Sequence, residues 1–283
     1  MSLRKAPSGK RFHELPLVLF TALAVVAAGI GASRIVLSLA GVGEWLPTRE
    51  QAAAVAGLMA LGIAFSTLHL GRPFRAGLAV RGMGRSPLSN EVLVAGTTVL
   101  AAGLVVFEPQ GDALTSSAGA LVPVLSVGVL VTLGLVYRLS GQPAWRGLVV
   151  LGPLLLGLIF GVAMQTAWGA WGGSPPLPDV LVVAFLLDLL LTVARGVSLE
   201  EARRLGRAAY PGIFHRRAAI LGGRVLLVDL LPPLGFFLGW GLPAVTVLLA
   251  GVVLDRFAFY GLAVERTTEA EVGRVEAVIR GEE

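Results

Sequence analysis

Long runs of apolar residues, separated by short stretches rich in Arg, Pro and Gly, dominate this chain. They lie near residues 15–40, 52–70, 91–107, 118–137, 147–166, 179–194, 220–238 and 242–262. A helix needs about 20 residues to cross about 30 Å of hydrocarbon, and most of the runs reach that length. Their apolar character is continuous rather than alternating, which predicts helices and excludes a lipid-facing barrel, whose strands would show a period of two. The expected fold is all-α, an integral membrane bundle of eight transmembrane helices within residues 1–262. The first run follows Arg4, Lys5, Lys10 and Arg11 as a secretory signal would, but it continues past the length of a signal core and is expected to remain as the first span.

Two further segments are helical in pattern but too polar to cross. Ser198 and Glu201 have capping-box spacing, so 198–210 is expected to form an in-plane helix with Arg203, Arg204 and Arg207 against anionic headgroups. In the tail, 263–283, Val272, Val275, Val278 and Ile279 recur at helical spacing and predict an amphipathic cytoplasmic segment.

Composition sharpens this picture. Of 283 residues 55% are hydrophobic and 14% charged, against about 25% charged in an ordinary globular domain. A soluble multidomain enzyme and a disordered scaffold are excluded. The chain has no cysteine, so disulfides, cysteine nucleophiles and thiolate-bound iron–sulfur clusters must belong to other chains. The net charge of +5 is a record of orientation rather than a sign of nucleic-acid binding. With an even number of spans, nineteen of the 23 basic residues fall on one face, and Arg49 alone falls on the other. The positive-inside rule places the basic face, with both termini, in the cytoplasm of a bacterial inner membrane.

Polar residues at the ends of spans need a compensating reason, and here they gather on the basic face. His13 and Glu14 open the first span, His69 closes the second, Glu91 opens the third, Tyr137 closes the fourth, Arg224 opens the seventh, and Arg256 and Tyr260 lie near the end of the eighth. The stretch 69–91 is the densest. Gly71 and Pro73 end the second helix so that His69 occupies its last turn, while Ser89 is placed to cap the third helix with Glu91 in its first turn. An imidazole and a carboxylate at the edge of an apolar slot suit a quinol, which releases two protons with its two electrons. The plainer readings stay beside this one: His69 bonded to a helix-end carbonyl, Glu91 as a carboxylate favoured by the helix dipole. Arg72, Arg75, Arg81 and Arg85 serve as topology signals or as a docking patch for a partner.

Asp188 and Asp229 lie about two turns or less inside the basic face. They form either a proton relay or an ion-paired group, with Arg224 the nearer partner and Arg34 near the opposite face. Pro232 and Pro233 are expected to kink the seventh helix. Only three histidines exist, all near one edge, so neither haem nor another metal centre is expected.

His-Glu-Leu-Pro at 13–16, Leu-His-Leu-Gly-Arg-Pro at 68–73, Arg75-Ala76, Leu-Ser-Asn-Glu at 88–91 and Phe-Tyr-Gly at 259–261 resemble the membrane anchor subunit of the dimethyl sulfoxide reductase family. The resemblance implies an eight-helix subunit that exchanges electrons between a quinone, menaquinone rather than ubiquinone, and a docked ferredoxin-like iron–sulfur subunit, with a molybdopterin catalytic subunit beyond it. It implies that His69 and Glu91 line the quinone site, joined by His13, Arg72, Ser89 and Tyr260. Leu15 stands where members of the family tend to carry Trp. The cytoplasmic placement of the motif face points to the branch that includes sulfite-oxidising complexes, so the direction of electron flow stays open. A purely structural anchor and a transporter are the alternatives, and polar residues gathered at one edge without repeat symmetry argue against the transporter.

Overall fold

In the computed structural model, which describes residues 13–41, 44–69, 87–108, 112–139, 151–168 and 178–266, the apolar runs become helices. They are α1 (Leu15–Leu39), α2 (Arg49–His69), α3 (Pro87–Phe107), α4 (Ala113–Leu139), α5 (Leu151–Ala167) and α6 (Pro178–Leu205). A three-residue strand, β1 (Gly206–Ala208), and a single turn, α7 (Pro211–Phe214), follow. The seventh span joins α8 (Arg217–Val225), a π-helical segment (Leu226–Leu230) and α9 (Leu231–Phe237). The last is α10 (Gly241–Gly261), followed by β2 (Val264–Arg266). Among the described residues seven of these spans are long and apolar enough to cross a membrane, and α5, with 17 residues, is shorter, about 25 Å. The architecture is an all-α membrane bundle with one small strand pair at an end.

The first helix is the axis of the bundle. From Thr21 to Arg34 every residue of α1 except Leu23 is buried, because α2, α4, α5 and α10 pack around it. Lipid offers no hydrophobic drive for helices to associate, so small residues that let backbones approach carry much of the packing. The crossing of α1 and α5 shows this at its tightest. A Cβ added to Gly161 would lie 1.9 Å from the Gly29 carbonyl oxygen, and one added to Gly29 would lie 2.2 Å from that of Gly157. Outward-facing side chains such as Leu100, Phe107, Leu190 and Phe237 are large, apolar and exposed, as a lipid-facing surface requires.

Two expectations change. No separate helix begins at Ser198, because α6 runs unbroken to Leu205. The Ser198 hydroxyl donates to the Ala194 carbonyl one turn back (3.0 Å), which serves a helix interior rather than a cap. The helix ends where Gly206 begins β1, and β1 pairs antiparallel with β2, Gly206 opposite Arg266 and Ala208 opposite Val264. The boundary at 262 therefore falls inside a paired unit. The apolar stripe at Val272, Val275, Val278 and Ile279 lies outside the described residues.

Pro232 and Pro233 sit in the first turn of α9, where a missing N–H matters least. Neither proline donates back to the carbonyls of Val228 and Asp229 four residues earlier. The chain accommodates this by widening into the π segment just before them.

Candidate functional site

Connectivity brings the ends of α2, α4, α6 and α10 and the starts of α1, α3, α5 and α8 to one side of the bundle. At this end two groups of polar residues stand apart. The first is carried by α2 and α3, which pack on each other. His69 is the last residue of α2, and its side chain lies outside the described residues. Arg72, Arg75, Arg81 and Arg85 also lie outside them, as does the side chain of Tyr137.

Pro87 opens α3, a position its fixed φ favours. Ser89 therefore lies within the first turn rather than at the cap, and Glu91 follows as the fifth helical residue. Both are buried, Glu91 with 3% of its surface exposed. No hydrogen bond or ion pair joins the Glu91 carboxylate to another described residue. A buried acceptor is costly unless a donor satisfies it.

His13 and Tyr260 lie elsewhere on this end. His13 is exposed ahead of α1, and its neighbour Glu14 accepts a hydrogen bond from the Tyr210 hydroxyl (3.3 Å). Tyr260 is buried in a cluster with Val18, Leu199, Phe214 and Leu262, its ring edge-on to Phe259 at 5.3 Å. These contacts place Tyr260 among α1, α6 and α10, not in the pair formed by α2 and α3.

The second group is the buried ion-pair network of α6, the seventh span and α10. The Arg224 guanidinium uses all three nitrogens on three carboxylates: Nη2 donates to Asp188, Nη1 to Asp229 Oδ2 at 2.7 Å, and Nε to Asp255 Oδ1 at 3.1 Å. Asp255 also accepts from Arg195 Nη1 at 2.7 Å and from Arg256. All six residues are buried, and their formal charges cancel. The π segment is what aligns Arg224 with Asp229: positions five apart diverge in an α-helix of 3.6 residues per turn, whereas i→i+5 closure brings them to one face. The second oxygens of Asp188 and Asp229 have no hydrogen-bond partner among the described residues.

The structure thus brings Asp188, Asp229 and Arg224 together, while Arg34 is held elsewhere, donating to the carbonyls of Glu44 and, at 3.0 Å, Leu46. Sequence reasoning missed Asp255 and left Arg195 in a loop. The available signal was the seven-residue spacing of Asp188 and Arg195, which places both on one helix face. The opposite end of the bundle carries polar contacts as well. There Thr48 and Gln51 form a reciprocal capping box (3.0 and 3.3 Å), and Gln51 donates across the bundle to Gln165 at 2.7 Å. Beside them is a cavity of about 300 Å³ lined by Thr48, Glu50, Gln51, Gln165 and Trp168.

These features define a class: a multi-pass α-helical membrane protein whose buried charges gather toward one end, most of them neutralised by one another and one, the Glu91 carboxylate, with no partner among the described residues. The sequence profile described as DMSO reductase anchor subunit (DmsC) matches residues 8–209, and the protein belongs to that family. It is 28% identical over 285 residues to the C subunit of the anaerobic dimethyl sulfoxide reductase of Escherichia coli (strain K12), an alignment that covers 90% of this protein and 96% of the relative. It is 27% identical over 287 residues to YnfH, an anaerobic dimethyl sulfoxide reductase subunit of the same organism, with the same coverage. The protein is a membrane anchor subunit of an oxidoreductase complex.

Proposed function

We propose that this subunit exchanges electrons between the membrane quinone pool and a docked iron–sulfur subunit, and that the quinone headgroup meets the protein between the facing ends of α2 and α3. The observation that carries this reading is Glu91, buried in α3 with no described partner for its carboxylate. A carboxylate only accepts hydrogen bonds, and the hydroxyl of a quinol only needs an acceptor, so the two complete each other. Within this reading Glu91 holds one hydroxyl, His69 stands at the other side as proton acceptor, and Ser89 and Arg72 border the slot. His13 and Tyr260 belong to the surrounding wall of the same end. A quinone of the menaquinone class is the substrate.

Arg75, Arg81 and Arg85 form the docking patch for the iron–sulfur subunit, with a molybdopterin subunit beyond it. The absence of cysteine supports this division, since the clusters then reside in other chains. The excess of basic residues on the motif face supports a cytoplasmic location for it in a bacterial inner membrane. Asp188, Asp229 and Arg224 act as an ion-paired group that holds helices together rather than as the path for protons, because each carboxylate is already bound to the arginine.

The test is quinone-linked electron transfer in the assembled complex, run in both directions. His69→Ala and Glu91→Gln are expected to lower it about 100-fold, in the range for removing a positioned acid or base, without releasing the soluble subunits. Normal turnover in both variants would reduce the protein to a structural anchor.

A further inference from the structure

The exposed side of α6 runs as one stripe through Leu186, Leu190, Val193 and Val197, all of them more than half exposed. Helical spacing continues that stripe to Glu201 and then to Arg204, both exposed. Arg204 thus points where the lipid-facing leucines and valines point. It lies seven residues beyond Val197, about 10 Å along the axis, which carries it from the hydrocarbon edge into the headgroup layer.

Across from it the seventh span begins. Glu200 joins the two elements, accepting from Arg203 on α6 at 3.2 Å and from Arg217 at the start of α8 at 3.1 Å, while Arg217 also stands over the Phe214 ring at 5.1 Å. One carboxylate thereby ties the end of α6 to the start of α8 through Arg203 and Arg217, and Arg204 and Arg216 are their immediate neighbours in the chain. Arg204 and Arg216 are exposed, and neither side chain bonds another described residue. The first turn of α8 contains no acidic residue, and Arg216 makes no side-chain cap, so the free N–H groups and positive helix end add to the same field.

From this juxtaposition we infer that the ends of α6 and α8 form a binding site for the phosphate of an anionic phospholipid, with Arg204 and Arg216 as its two exposed guanidinium ligands and the apolar stripe of α6 as the bed for an acyl tail. An acidic patch on a soluble partner would meet the same charges, but it would not account for Arg204 lying in line with Leu190 and Val197. The inference is independent of the quinone reading.

The full-length protein, purified with whatever it assembles with, is placed in nanodiscs of phosphatidylcholine containing a minority of phosphatidylglycerol, and retained lipid is counted by native mass spectrometry. The expected result is preferential retention of phosphatidylglycerol. Since each basic residue near an anionic surface contributes a roughly five-fold preference, Arg204→Gln with Arg216→Gln is expected to weaken that retention about 30-fold. Arg204→Lys with Arg216→Lys keeps most of it, and Arg49→Gln at the opposite end leaves it unchanged. Both replaced residues are exposed, so the melting temperature of the complex serves as the check on folding. Equal retention of the two lipids by the unaltered protein would overturn the inference. So would a glutamine pair that keeps phosphatidylglycerol but sheds a soluble subunit, which would assign the patch to an acidic protein.

Discussion

Two sets of buried carboxylates at the same end of the bundle are treated in opposite ways. Asp188, Asp229 and Asp255 share the guanidiniums of Arg195, Arg224 and Arg256, and the network ties α6, the seventh span and α10 together. Glu91, equally buried, has no such partner among the described residues. The first arrangement is neutralised inside the protein, three arginines against three aspartates. The second meets no cation among the described residues. Burial alone therefore does not distinguish the carboxylates of this end; what does is whether an arginine meets them among the described residues.

The comparison breaks most visibly at Arg224. Arg224→Gln leaves Asp188 and Asp229 without their counter-ion, and removing one partner of a buried ion pair costs about 3–5 kcal/mol. The expected outcome is a collapse in folded yield and a large drop in the detergent melting temperature. Glu91→Gln is the mirror experiment, expected to leave the melting temperature where it was while quinone-linked turnover falls. A Glu91→Gln protein that melts as early as the Arg224 variant would erase the distinction between the two sites.

A finer probe is the double-mutant cycle of Arg195→Gln and Asp255→Asn, scored by reversible unfolding in mixed micelles. Coupling of about 0.5–3 kcal/mol is expected for residues in one network, and additivity would show that the contact contributes nothing of its own. The smallest effect belongs to the surface pair of Glu200 with Arg203, whose side chains are about half exposed. There Glu200→Gln should change stability by less than about 1 kcal/mol in the same assay.

The span positions were legible in the sequence because apolar length is nearly all that a membrane helix must supply. What escaped was the ownership of charges near the ends. Arg195 stopped the sixth apolar run at 194 and so passed for a loop residue, whereas Asp255, on a helix distant in sequence, holds it inside α6. Ser198 looked like a cap because its spacing to Glu201 is right, but nothing ends the helix ahead of it. Glu91 was singled out by its neighbourhood. That no described residue bonds it depends on what surrounds it in space, which residue spacing alone does not report. Pro232 and Pro233 announced a distortion, but not its form, a π segment that turns Asp229 toward Arg224.

That same π segment bears on how the protein enters the membrane. An arginine crossing alone is among the most expensive residues to insert, and the acceptors from α6 and α10 are available only when those helices are in place. Asp229 travels on the same span as Arg224, so the pair can neutralise itself before any neighbour arrives. The seventh span is thus a self-compensated unit for insertion, and the last helix adds Asp255 to the same guanidinium.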